Sequence, residues 1–323
     1  MEQLENATNQ GNQGEVLQKE YPQSKEKPVS MGKRVGYCLL TLSLAVLCLV
    51  MQVLAMLVIL IPALVLQIVN GSIDMSDSQA YMAAYMELAQ SCSRWGILLY
   101  HIVGILLFGL WYRFSFKKPR PTIKGALHNT TGKALLLSVV CGVCLCIFAN
   151  ATVIVESHLV PSIVEAYMEL AEAAGLGVDA ITIVATILLA PIGEEFLCRG
   201  LMLKFAKKSF GRFWPANLLQ AFLFGCIHGN WVQGIYAFFI GLVLGWLVER
   251  YHTLLPAILL HFVVNLSSST WVPYLFDALF GDNMPALLIG LLMVVVPVAI
   301  IIGLLYWERP RKAVQQSSQV PQD

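Results

Sequence analysis

The chain has 323 residues, of which 57% are hydrophobic and only 13% are charged. Soluble globular domains carry about a quarter charged residues, so this composition argues against a soluble domain. The formal net charge of +1 offers no basic surface for a nucleic acid, and the eight cysteines lie mostly in apolar segments, which predicts buried thiols rather than a disulfide framework. The predicted class is an all-α polytopic membrane protein, because helices satisfy every backbone group inside lipid.

Polar tails are predicted at both ends of the chain, with membrane-spanning helices between them. Residues 1–33 contain no apolar core, which favours a disordered cytoplasmic tail over a cleavable signal peptide. Residues 308–323 have the same character. Because Pro62 falls within a first apolar segment too long for one straight crossing, it is expected to kink that segment or end the span. About eight spans are predicted, at 36–69, 95–115, 133–156, 178–206, 213–230, 232–249, 254–271 and 285–307.

The charges between these segments alternate in sign along the chain. Basic residues precede the first span and follow the even-numbered spans, whereas acidic residues follow the odd-numbered ones. Cytoplasmic loops carry an excess of Lys and Arg, so the pattern predicts a multi-pass protein of the cell membrane with both termini cytoplasmic. The basic residues are Lys33, Arg34, Lys117, Lys118, Arg120, Lys124, Lys204, Lys207, Lys208, Arg212, Arg250, Arg309, Arg311 and Lys312; the acidic ones include Asp74, Asp77, Glu87, Glu165, Glu169, Glu172, Asp277 and Asp282.

The fourth segment contains three charges in the stretch PIGEEFLCRG, residues 191–200. Each charged side chain near the centre of a span costs about 3 kcal/mol, so Glu194, Glu195 and Arg199 would cost roughly 8–10 kcal/mol if they faced lipid. The preceding aliphatic residues return only about 3–4 kcal/mol. These side chains are therefore expected to face protein or a wet cavity, which is where functional residues of membrane proteins lie.

The spacing within this stretch separates the two carboxylates. Glu195 and Arg199 are four residues apart, which predicts an ion pair on one helical face that can be purely structural. Glu194 is rotated by about 100° and lacks this partner. Pro191 removes a backbone donor, and Gly193 allows a neighbouring helix to approach closely.

Two later segments contribute further polar side chains. His228 ends the stretch FGCIH, and His261 and Asn265 lie one turn apart in HFVVN. Taken singly, each also fits a packing role, since His and Asn form hydrogen bonds between helices in membranes. Together with Glu194 they would supply a general base, a proton partner and hydrogen-bond donors.

A metal site is the open alternative for the same residues. Glu194, His228 and His261 would provide the two-His, one-carboxylate ligand set of a catalytic zinc ion. The HExxH motif of zinc proteases is missing from the sequence. The metal-free interpretation is favoured because the three ligands are dispersed along the chain and no supporting carboxylate is evident.

Three motifs in this order resemble a known family of membrane proteases. EEFLCR (194–199), FGCIH (224–228) and HFVVN (261–265) are similar to the EExxxR, FxxxH and HxxxN motifs of the CAAX protease and bacteriocin-processing family, also called CPBP or Abi. The resemblance covers about residues 178–270, and it implies an eight-helix membrane fold that hydrolyses peptide bonds within the membrane. The transmembrane protease domain is predicted at 34–307, with the motif core at 178–270.

The resemblance also implies a role for each motif residue. Glu194 together with His228 would activate a water molecule, and His261 and Asn265 would stabilise the oxyanion. The family has been described as metalloproteases, but its implied mechanism is a glutamate-activated water without a cofactor, with zinc as the alternative.

Glu195 and Arg199 complete the first motif in a supporting role. The implied partners are the lipid bilayer and a membrane-associated peptide or protein. Eukaryotic members of the family cut prenylated CAAX proteins, and bacterial members are linked to bacteriocin maturation or self-immunity.

Two other functions compete with the protease. One is a non-catalytic immunity factor or scaffold that retains the fold, against which the intact motifs argue. The other is a transporter whose intramembrane Glu and His relay protons, against which no inverted repeat of spans is seen.

The protease hypothesis carries one geometric condition. Counted along straight helices, Glu194 falls near mid-membrane and His228 falls close to the outer end of its span. The two can meet only if the fourth helix tilts or the fifth begins deep in the membrane.

Overall fold

The computed structural model describes residues 29–71, 77–115, 122–173, 179–272, 278 and 286–307. Within these ranges all regular structure is helical, which confirms the all-α class. The helices are α1 (Met31–Val69), α2 (Ser78–Phe114), α3 (Ile123–Asn129), α4 (Gly132–Leu159), α5 (Pro161–Ala173), α6 (Ala180–Phe210), α7 (Phe213–Cys226), α8 (Trp231–Tyr251), α9 (Leu255–Ser269) and α10 (Ala286–Trp307).

Each of the eight predicted spans overlaps one of these helices, but the helices differ in length and several extend beyond the predicted bounds. Among the described residues, α1, α2, α4, α6 and α8 are long and apolar enough to cross a membrane. Helix α7 has only 14 residues and α9 has 15, so they rise about 21 and 23 Å where the hydrocarbon core is about 30 Å thick. The polytopic architecture is confirmed, with five helices of full crossing length among those described.

The first helix extends beyond the thickness of a bilayer. Helix α1 continues through Pro62 for 39 residues, a rise of about 58 Å. Part of it must therefore lie outside the hydrocarbon, as the length of the first segment predicts.

The predicted tails fall largely outside the described residues, as do most charges in the loops after α2, α9 and α10. The placement of both termini in the cytoplasm therefore stays a prediction.

Helix α6 lies at the centre of the fold and is the least regular helix. Two π-helical segments, Val184–Leu189 and Phe196–Met202, flank the α-helical turn Ala190–Glu195. Pro191 has no N–H to donate to the preceding turn, which fits the loosened segment before it. Short π segments inside α-helices occur frequently at functional sites, and here they enclose the carboxylates of the first motif.

Helices α7 and α8 pack closely through small residues. A Cβ on Gly241 would lie 3.0 Å from the Cα of Ala221, and one on Gly245 would overlap Oδ1 of Asn217. Neither glycine of this GxxxG pair has room for a side chain, so both allow the two helices to approach closely.

A second pair with the same spacing, Gly225 and Gly229, has two different roles. A Cβ on Gly225 would approach the carbonyl oxygen of Gly234 to 2.6 Å, so this residue also allows close packing. Gly229, however, has open space around it and a φ of 71°. It therefore serves the turn after α7, in a backbone conformation that L-residues rarely adopt.

Replacing Gly245 with alanine is expected to destabilise the protein by about 1–3 kcal/mol, because the new methyl group must displace Asn217. The measurement is the thermal unfolding midpoint in detergent. Gly303→Ala is the matched control, since it is also a helical glycine and has no atom within 4 Å of an added Cβ. Equal midpoints for the two variants would contradict the packing argument.

Candidate active site

The predicted ion pair in α6 is present and fully buried. Nη1 of Arg199 donates to Oε1 of Glu195 at 2.8 Å, and both side chains are inaccessible to solvent. Nη2 of Arg199 also donates to the carbonyl oxygen of Gly241 at 3.3 Å. The pair therefore links α6 to α8 beneath the first motif.

His261 of α9 contacts both glutamates of the motif. Its Nδ1 lies 3.1 Å from Oε1 of Glu195, and its Nε2 lies 3.8 Å from Oε2 of Glu194. The side chain of Glu194 is 16% exposed, and its Oε2 is buried with no hydrogen-bond partner among the described residues. Arg199 therefore pairs with Glu195 and not with Glu194, as the spacing predicts.

His228 lies in the turn after α7, where the backbone fixes its ring. Its Nδ1 is 2.7 Å from the carbonyl oxygen of Phe224. A carbonyl only accepts, so Nδ1 carries the proton and Nε2 of the neutral ring keeps a lone pair. Glu194 lies within electrostatic range of this imidazole.

Glu194 and His228 can meet only if they lie at a similar depth in the membrane. The short connection between α6 and α7 makes this possible. Gly211, with a φ of 69°, ends α6 in a left-handed turn and reverses the chain. Along the two helices, Glu194 lies roughly 24 Å back from Phe210 and His228 roughly 22 Å beyond Phe213. His228 lies just past the end of α7, as its predicted place at the end of the span implies. Both distances start from the same α6–α7 turn, so the two residues come to a similar depth.

Asn265 lies one turn beyond His261 and holds α9 against α6. Its Nδ2 donates to the carbonyl oxygen of Thr186 at 2.9 Å, inside the first π-helical segment. A carboxamide has two N–H donors, so one remains for a further partner.

Phe224 joins the three motifs into one cluster. Its ring is 5.0 Å from that of His228 and 5.7 Å from that of His261, in edge-to-face geometry. The guanidinium of Arg199 lies 4.3 Å from its centroid. Sequence reasoning used this residue only as the start of a motif, although its position four residues before His228 indicates a shared helical face.

A third imidazole near the site was missed from the sequence. His101 of α2 is 7% exposed and lies within electrostatic range of Glu194 and His261. Helix α2 approaches there because Gly193 has no side chain: its Cβ would lie 3.3 Å from Ile105 and 3.8 Å from the carbonyl oxygen of His101. In the sequence, His101 could have been noticed as a histidine within an apolar segment.

Helix α1 closes the opposite wall with polar side chains that the sequence analysis also missed. Nε2 of Gln52 donates to the carbonyl oxygen of Ile227 at 3.4 Å. Sγ of Cys48 lies 3.0 Å from the hydroxyl of Tyr100. These contacts bring α1 and α2 against the turn that holds His228.

The donor geometry bears on the zinc alternative. In the described part of the chain, no three His, Cys, Asp or Glu side chains converge as ligands of one metal ion. Nδ1 of His228 and Nδ1 of His261 are engaged by protein oxygens. The set Glu194, His228 and His261 stays an alternative for experiment to decide.

Residues 177–267 match one protein family, described as type II CAAX prenyl endopeptidase Rce1-like. The match contains all three motifs and confirms the family resemblance predicted from them. No curated protein matches the chain, and no solved structure does.

Proposed function

We propose that this protein is an intramembrane endopeptidase acting on membrane-associated peptides or proteins, since residues 177–267 match the family described as type II CAAX prenyl endopeptidase Rce1-like. The observation that carries the proposal is the buried, unpartnered Oε2 of Glu194 beside His261. A carboxylate kept from lipid and left without a partner is arranged for proton transfer. The protein is proposed to span the cell membrane several times.

Glu194 is the proposed general base. A water molecule between its carboxylate and Nε2 of His228 loses a proton to Glu194, and the resulting hydroxide attacks the scissile carbonyl carbon. The C–N bond then breaks as the protonated Glu194 returns this proton to the leaving amine. His228 holds the water through its lone pair, since Nδ1 is committed to Phe224.

His261 and Asn265 are the proposed oxyanion donors. Asn265 has a second amide hydrogen beyond the one given to Thr186. Nδ1 of His261 faces Glu195, so Nε2 is the ring nitrogen proposed to donate to the oxyanion. One such donor contributes about 3 kcal/mol to transition-state stabilisation.

Glu195 and Arg199 are proposed to hold His261 in position and not to take part in the reaction themselves. Glu195 orients His261 through Nδ1, and Arg199 fixes Glu195 from the other side. Their burial removes the water that would otherwise compete for these hydrogen bonds.

The proposal is tested with the purified full chain in detergent and a library of membrane-tethered peptides. Cleavage at defined bonds supports it. No cleavage of any peptide, by a protein that is monodisperse and folded, would favour the non-catalytic scaffold.

Chelators separate the water mechanism from the zinc alternative. We expect cleavage to continue at an unchanged rate after treatment with 1,10-phenanthroline and dialysis, because the proposed steps use only protein side chains. Loss of cleavage that zinc restores would replace this mechanism with a metal-dependent one at the same residues.

A further inference from the structure

A cavity of about 440 Å³ lies between α1, α2 and α5, next to the proposed active site. Its wall is mainly apolar, with Met56, Met86, Ile97 and Leu170 among the lining residues. Methionine side chains are flexible and polarisable, so they adapt to apolar groups of different shapes.

The inner end of the cavity lies next to the segments that carry Glu194 and His228. Gln52, which lines it, donates to the carbonyl oxygen of Ile227, directly before His228. Tyr100 also lines it and precedes His101, whose carbonyl oxygen lies 3.8 Å from the position of a Cβ on Gly193, directly before Glu194. A group that filled the cavity would therefore end near the residues assigned to catalysis.

The outer end of the cavity lies away from the α6–α7 turn. Tyr85, at that end, is roughly 43 Å from Phe114 along α2, which exceeds the hydrocarbon thickness of about 30 Å. Leu170 of α5 forms part of the wall there. The mouth therefore lies at or beyond the membrane interface on the α5 side.

We propose that this cavity is the subsite for an apolar side chain of the substrate next to the scissile bond, and that the peptide arrives from the α5 side of the membrane. This inference rests on the proposed function. A lipid acyl chain is disfavoured as occupant because it would enter from within the hydrocarbon, whereas a peptide can thread from the interface. The polar groups at the inner end, Gln52 and Tyr100, suit the peptide backbone that must follow the side chain.

The first test fills the cavity. Ala89→Trp places a bulky ring among the lining residues, and Ala83→Trp is the matched control on an exposed position of the same helix. We expect Ala89→Trp to shift the preference of the enzyme from Leu and Phe to Gly and Ala by about 10-fold in relative kcat/KM, mainly through KM. An unchanged preference, with the wild type active on the library, would overturn the subsite and leave the protease assignment intact.

The second test needs no cleavage. Library peptides that contain photo-leucine are irradiated with the Glu194→Gln variant in vesicles, and cross-links are mapped by mass spectrometry. We expect cross-links to Met56, Met86 and Ile97, suppressed by Ala89→Trp and retained in Ala83→Trp. Cross-links confined to other surfaces, or a photoreactive acyl lipid at these residues that peptide does not displace, would refute the assignment. Cross-links at these residues without any cleavage by the wild type would instead count against the protease.

Discussion

Replacing Glu194 with glutamine is expected to lower the rate of peptide cleavage roughly 100- to 10,000-fold, the contribution of a general base. The amide has the shape of the carboxylate but cannot take a proton from water. Folding should be preserved, because Oε2 of Glu194 has no hydrogen-bond partner to lose among the described residues. The measurement is the initial rate on the tethered-peptide library, together with the thermal midpoint of each preparation.

Glu165→Gln is the matched control for this substitution. Glu165 is an exposed carboxylate on α5, so the control removes a negative charge of the same kind away from the site and should retain full activity. Cleavage by Glu194→Gln within 10-fold of the wild type would remove Glu194 from the role of base.

Replacing Arg199 with methionine is expected to destabilise the protein by about 3–5 kcal/mol, since it leaves the charge of Glu195 buried without its cation. Methionine keeps most of the side-chain volume, so the loss reports charge rather than a cavity. Activity should also fall, because Glu195 orients His261. The measurements are the thermal midpoint and kcat on the same library.

A double substitution separates charge from packing in this pair. With Glu195→Gln added to Arg199→Met, no unpaired charge is buried, and most of the stability should return. Arg212→Met, on an exposed residue, is the control and should change stability by less than about 0.5 kcal/mol. A thermal midpoint for Arg199→Met equal to that of this control would contradict the account.

The sequence predicts the charged part of the site well because lipid penalises charge strongly. Glu194, Glu195 and Arg199 could not face acyl chains, and their spacing alone predicted which carboxylate is paired. His101 was not identified from the sequence because it belongs to no motif. A neutral imidazole in an apolar segment also indicates a functional site less clearly than a charged side chain does. Its proximity to Glu194 depends on the approach of α2 at Gly193.

Helix lengths and helix types were harder to predict than helix positions. Hydropathy does not show that α7 stops at Cys226, so the depth of His228 relative to Glu194 could not be predicted. The π-helical segments of α6 have no hydropathy signal, and Pro191 gave only a local hint of irregular backbone. Both features decide whether the histidines and the carboxylate share a depth.

Because of the two π-helical segments, the direction in which the carboxylates point around the axis of α6 depends on the number of residues in that helix. Each such segment holds an extra residue within an otherwise α-helical rod, and a single residue accounts for about 100° of rotation. Deleting one residue within Val184–Leu189 would rotate the carbonyl oxygen of Thr186, which accepts from Asn265, around the helix axis. The residues of PIGEEFLCRG would stay the same. An insertion or deletion in the first segment would thus reorient α6 relative to α9 with no substitution in PIGEEFLCRG, whereas the second segment, Phe196–Met202, is itself part of that stretch.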